Sequence, residues 1–271
     1  MPQIGDITLN FDKKLRAAVT DGLGLCVGLD PVPGQMPEQF QGDPSPLLSF
    51  CREIINATTD AAAAYKPNLA FFEAFGADGW RQLQQTIQAI PTDKIIIADA
   101  KRGDIGSTAR WYATAIYDRL KADAITVNPY LGSDALEPFL GDPARGAYVL
   151  AVTSNPGGRD IQELIAEGSP VYLHVVRLAR RLNLNHNVGL VMGATRPELW
   201  DELLKEAVDL PLLVPGIGAQ GGDLAALKAA VKRYPAPVLV NVSRSIIYAS
   251  RNADFALKAG EAARKMRDSL H

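Results

Sequence analysis

Eight short apolar runs, each followed by a longer stretch with helical periodicity, recur along the chain. The runs lie at Leu23–Leu29, Ala62–Lys66, Lys94–Ala98, Ala124–Val127, Ala147–Val152, Val188–Met192, Leu212–Val214 and Val238–Val242. Between them, Leu47–Thr59, Trp80–Ile90, Thr108–Leu120, Val171–Leu182, Pro197–Val208 and Leu224–Val231 read as helices, and a last one closes the chain at about Ala253–Ser269. Strict alternation of strand and helix implies a parallel sheet, because every crossover must return the chain to the same edge orientation. Eight such units in 271 residues suit a closed (β/α)8 TIM barrel, for which about 250 residues is typical. An open doubly wound sheet is the structural alternative. The expectation is one α/β barrel domain over residues 1–271. The long connection after the first run carries a Pro/Gly-rich insertion at 31–46 that reads as a surface excursion or a lid.

Composition narrows the function. With 47% hydrophobic residues the chain can bury a large core. A net charge of −2 with both signs mixed argues against a nucleic-acid or anionic-membrane binder. No apolar stretch approaches the roughly 18 residues that a membrane span requires, and the Met1-Pro2-Gln3-Ile4-Gly5-Asp6 start lacks the pattern of a secretion signal. Two cysteines, Cys26 and Cys51, make no disulfide framework, and Cys26 reads as a buried free thiol. A cytoplasmic setting is expected. Three histidines with no His/Cys cluster argue against zinc.

A barrel collects its chemistry at the C-terminal ends of its strands, and the polar residues gather there. The first run ends in Asp30, the second in Lys66, the fourth in Asn128, the fifth in Ser154-Asn155 and the eighth in Asn241-Val242-Ser243-Arg244. The third is densest: Asp99, Lys101 and Asp104 fall within six positions. Alternation along a strand would place Asp99 and Lys101 on one face. Clustered charges contribute little net stability to a core and mark functional sites. Asp104 by itself also fits a helix N-cap.

Gly216, Gly218 and Gly221 match G-x-G-x-x-G, but the motif comes late in the chain and the stretch Tyr234–Ser243 has no acid for a ribose. In a barrel, loops seven and eight commonly cradle a phosphate with backbone N–H groups, and Arg244 stands ready as a forked donor. Ser154 lacks a histidine at any strand end, which disfavours a nucleophilic triad. Phe71, Phe72 and Phe75 suit either the core or a subunit interface.

Ile96, Asp99, Lys101, Asp104, Ile105, Gly106 and Thr108 follow an Asp-x-Lys-x-x-Asp pattern, accompanied by Asp30, Lys66, Ser154, Pro215–Gln220 and Arg244. With these residues the chain resembles the orotidine 5′-phosphate decarboxylase family, and its insertion and Thr-Ser-Asn-Pro-Gly turn look like the longer bacterial subgroup. The resemblance implies decarboxylation of orotidine 5′-phosphate to UMP in pyrimidine biosynthesis, without cofactor or metal. Lys101 would protonate C6, and Lys66, Asp99, Lys101 and Asp104 would form an alternating charged array. Asp104, Ile105 and Thr108 would reach into the neighbouring subunit of a homodimer. Asp30 and Lys66 would hold the ribose and Ser154 the pyrimidine edge. Gln220, Arg244 and the backbone around Gly218 and Ser243 would hold the phosphate, with Pro215 on the same binding surface. The rivals are Mg²⁺-dependent sugar-phosphate lyases of the same superfamily, which place an acidic metal ligand where this chain has Lys66, and a catalytically silent nucleotide-phosphate binder.

Overall fold

The computed structural model describes residues 10–20, 22–218 and 221–271. Eight parallel strands close on themselves: β1 (Leu23–Leu29), β2 (Ala64–Pro67), β3 (Ile95–Arg102), β4 (Ala124–Val127), β5 (Gly146–Val152), β6 (Val188–Met192), β7 (Leu212–Pro215) and β8 (Val238–Val242). Each strand pairs with its sequence neighbours, and β1 pairs with β8 from Leu23↔Val238 to Val27↔Val242. The barrel is therefore closed, and the open-sheet alternative is excluded.

Each of the eight expected runs overlaps a strand. The largest boundary difference is at β3, which extends four residues beyond Ala98 and carries the densest charges into the sheet. Those strands are buried on both faces, which is why they read as continuous apolar runs. The helices hold apolar stripes against the outside of the barrel, as in α2 (Pro46–Thr58), where Leu47, Phe50, Cys51, Ile54 and Ile55 are all buried.

One helix was not legible as part of the barrel. α1 (Phe11–Ala18) starts at Asn10, whose side chain accepts a hydrogen bond from Lys13 N–H at 3.0 Å, and it closes the N-terminal end of the barrel. Phe11, Leu15 and Val19 pack with Cys26, Ile95, Ile97, Tyr148 and Leu239 in a cluster inside the strands. Phe11 meets Tyr148 edge-on, with ring centroids 6.2 Å apart. A side chain at Gly146 would lie only 2.4 Å from the Phe11 ring, so glycine is needed there for the plug to seat. With one end blocked in this way, ligand access is confined to the opposite, C-terminal rim.

The insertion at 31–46 is tied down. It forms two short turns, Pro33–Gln35 and Glu38–Phe40. Phe40 packs edge-on against Phe50 at 5.7 Å and Phe255 at 5.4 Å, and Phe50 stacks on Tyr248 at 5.6 Å. The aromatic cluster packs the excursion against the helices outside the barrel, so it is a surface excursion in this conformation. Among the described residues, no helix is long and apolar enough to cross a membrane.

Candidate active site

All eight strands contribute to one cavity of about 330 Å³ at the C-terminal rim. Its polar wall includes Asp30, Lys66, Asn68, Asp99, Lys101, Thr126, Ser154 and Asn241, and its apolar wall includes Leu150, Val191, Leu213 and Pro215.

The charged centre is a short run of opposite charges. Asp99 accepts from Lys66 Nζ on Oδ2 at 2.7 Å and from Lys101 Nζ on Oδ1 at 2.6 Å. Lys66 and Asp99 are buried, whereas the Lys101 side chain is about half exposed to the cavity mouth. Burial alone would push the Asp99 carboxyl up, but the Lys66 and Lys101 ammonium groups outweigh it and hold the carboxyl well below the usual range. Burial alone would likewise pull Lys66 down. Asp99 first and Asp30 second outweigh that effect and raise it, so Lys66 remains a cation.

Simple alternation does not account for the meeting of Asp99 and Lys101. The pairing of β3 with β4 runs from Ala98↔Ile125 to Arg102↔Val127, so β3 spends two extra residues over this interval. Lys101 takes up the irregularity with a left-handed backbone, φ +47°. This bulge, and not the period of two, turns its side chain back onto Asp99.

Two buried oxygens at the rim have no hydrogen-bond partner: Asp30 Oδ1 and Ser243 Oγ. Both oxygens are free to accept a hydrogen bond at the rim. Asp30 is itself held in place, since its carbonyl accepts from the Tyr248 hydroxyl at 2.9 Å and that hydroxyl accepts from Val32 N–H at 2.6 Å. Gly28 leaves space for Ser243; a Cβ there would come within 2.7 Å of the serine Cβ. Loops seven and eight also touch, because a Cβ at Gly218 would lie 3.0 Å from Ser245 Oγ. Gly216, Gly218 and Gly221 all have positive φ, and the loop is tightened by Gly221 N–H donating to the Gly218 carbonyl and Gly222 N–H to the Gly216 carbonyl, each at 3.0 Å. Arg244 is exposed beside this loop.

The expected residues therefore divide into three groups. Asp30, Lys66, Asp99, Lys101, Ser154 and Pro215 line one cavity. Gly218, Ser243 and Arg244 lie on the adjoining rim outside that lining, and Gln220 falls outside the described residues. Asp104, Ile105 and Thr108 sit before and at the start of α3 (Gly106–Ala113) and do not line the cavity of their own chain. The N-cap reading of Asp104 does not hold: Ile105 is the cap residue, and the Asp104 carboxylate accepts only from Ile105 N–H, at 2.8 Å. Thr126 and Tyr248 were missed. Thr126 is a lone hydroxyl in the otherwise apolar Ala124–Val127 strand, a signal that could have drawn attention; Tyr248 offers no comparable mark. Phe72 is core and Phe75 is exposed.

Residues 24–259 match the family model described as orotidine 5′-phosphate decarboxylase / HUMPS family. The chain belongs to this family. The orotidine 5′-phosphate decarboxylase of Roseiflexus sp. (strain RS-1) is 50% identical over 250 residues, covering 91% of this chain and 92% of that protein. The solved Leishmania donovani OMP decarboxylase superposes with a TM-score of 0.81 at 38% identity, covering 97% and 99% of the two chains. Leishmania donovani UMP synthase gives a TM-score of 0.83 at 39% identity, and this chain spans 56% of its length. The family resemblance carried by residues 96–108 is thus borne out, as is the barrel.

Proposed function

We propose that this member of the family converts orotidine 5′-phosphate to UMP and carbon dioxide with no cofactor, Lys101 supplying the proton. The observation that carries the reading is the Lys66–Asp99–Lys101 run held in a cavity bounded by all eight strands. The C6–carboxylate bond breaks, its electron pair stays on C6, and a proton from Lys101 Nζ forms the new C6–H bond as carbon dioxide departs. Fixed ammonium groups stabilise charge that develops late because they need not reorganise when it appears. Asp99 keeps both lysines aimed at one point and stands near the departing carboxylate. Leu150, Val191 and Leu213 give the reacting centre an apolar wall, where electrostatic interactions are stronger than in water.

Remote groups anchor the substrate. Asp30, whose Oδ1 is unpaired, and Lys66 suit the ribose hydroxyls. Ser154 suits the pyrimidine edge. Pro215, Gly218, Gln220, Ser243 and Arg244 suit the end that carries the phosphate, whose binding energy holds the base in place during the chemical step. We further infer a homodimer in which Asp104, Ile105 and Thr108 complete the partner's site. In support, these residues do not line their own chain's cavity, and Ile105 and Trp111 are 60% and 73% exposed on the same segment.

The rival reading, an Mg²⁺-dependent lyase, is disfavoured by a buried ammonium, Lys66, where a metal ligand would be needed. The test is the ultraviolet spectrum of orotidine 5′-phosphate incubated with protein treated with EDTA. Conversion to the UMP spectrum is expected; no conversion, or conversion only on adding Mg²⁺, overturns the reading.

A further inference from the structure

β3 pays for its irregularity in backbone hydrogen bonds. Where the strand spends two extra residues between Ala98 and Arg102, the N–H groups of Ala100 and Lys101 lose register with β4. Buried N–H groups left unpaired cost stability, so an acceptor has to be found. Thr126 provides it. Its Oγ1 accepts from Ala100 N–H at 3.1 Å and from Lys101 N–H at 2.9 Å, and donates to Asp99 Oδ1 at 3.0 Å. A threonine hydroxyl has one proton and two lone pairs, and all three are engaged here. The residue is 2% exposed and sits in the cavity wall beside Asp99 and Lys101.

This single oxygen contacts every part of the irregularity that matters to the site. It meets the carboxylate oxygen that Lys101 Nζ also grips at 2.6 Å, and it braces the left-handed Lys101 backbone, a conformation that residues other than glycine rarely adopt. We propose that Thr126 is a positioning residue for the decarboxylation: its hydroxyl locks the β3 bulge so that Lys101 and Asp99 face the reacting carbon. The proposal rests on the function argued above, and it assigns to a strand outside the Asp-x-Lys-x-x-Asp segment the control of that segment's geometry.

Three variants separate positioning from packing. Thr126→Val keeps the shape and removes the hydroxyl, Thr126→Ser keeps the hydroxyl and removes a methyl, and Thr126→Ala supplies the hydroxyl-free comparison should the valine variant not fold. The readouts are kcat, KM and the affinity for UMP, each per folded protein. A misplacement of about 1 Å can cost roughly a hundredfold in rate. Thr126→Val or Thr126→Ala should therefore lose about that much kcat, with KM and UMP affinity within about threefold, while Thr126→Ser stays within about fivefold of wild type. Unchanged kcat in a folded hydroxyl-free variant overturns the proposal, as does a serine variant as damaged as the valine. A wild type that leaves orotidine 5′-phosphate unchanged overturns the function itself, a separate failure.

Discussion

At the residue scale, the proposed chemistry depends on opposite charges, Lys66, Asp99 and Lys101, stabilised by one another inside a barrel. Lys101 is the group asked to deliver a proton, and general acids contribute roughly 10²- to 10⁴-fold. Lys101→Ala should lose at least that factor in kcat while binding UMP as wild type does, measured by initial rates and by titration calorimetry. Asp99 makes a pH-dependent prediction. Its carboxyl is held below the ordinary value of about 3.9, so the stability tied to its ionisation is complete above that value and is lost as pH falls through the depressed native one. Lys66→Met removes one of the two cations responsible. The gap in Tm between wild type and this variant should be widest near neutrality and narrow below about pH 4, as scanning calorimetry across pH would record. The sequence made these residues legible because charges at the end of an apolar strand are costly unless used. It concealed how they meet, since a bulge and a left-handed lysine leave no mark in a pattern of apolar and polar positions.

At the element scale, strands were readable and the pieces that hold the rim were not. Double burial makes each strand an unbroken apolar run, so the count of eight and the order of strands followed directly. α1 is short, and its inward residues Phe11 and Leu15, with Val19 just past its end, join strand residues in a core of their own; only tertiary packing reveals it as a plug. The 31–46 excursion looked free because prolines and glycines dominate it, whereas the decisive contact comes from the single ring of Phe40. Tyr248 links that excursion to the site by accepting from Val32 N–H and donating to the Asp30 carbonyl. Tyr248→Phe leaves both backbone groups without this partner, at a cost of about 1–3 kcal/mol. The variant should show a KM raised several-fold with a smaller change in kcat, together with a lowered urea midpoint.

At the scale of the whole molecule, Lys66, Asp99 and Lys101 line the cavity of their own chain and Asp104 does not. In the proposed homodimer, exposed Ile105 and Trp111 on the segment that carries Asp104 form apolar surface that a second copy would cover. The proposed homodimer also yields the most direct test, complementation between two inactive proteins. Lys101→Ala and Asp104→Ala chains are unfolded, mixed in equal amounts and refolded, and the rate of UMP formation is measured. Random pairing makes about half of the dimers mixed, each with one intact site of two, so roughly a quarter of wild-type activity should return. Recovery near that level supports a site built from two chains around one pyrimidine carbon; a mixture as inactive as its components contradicts it.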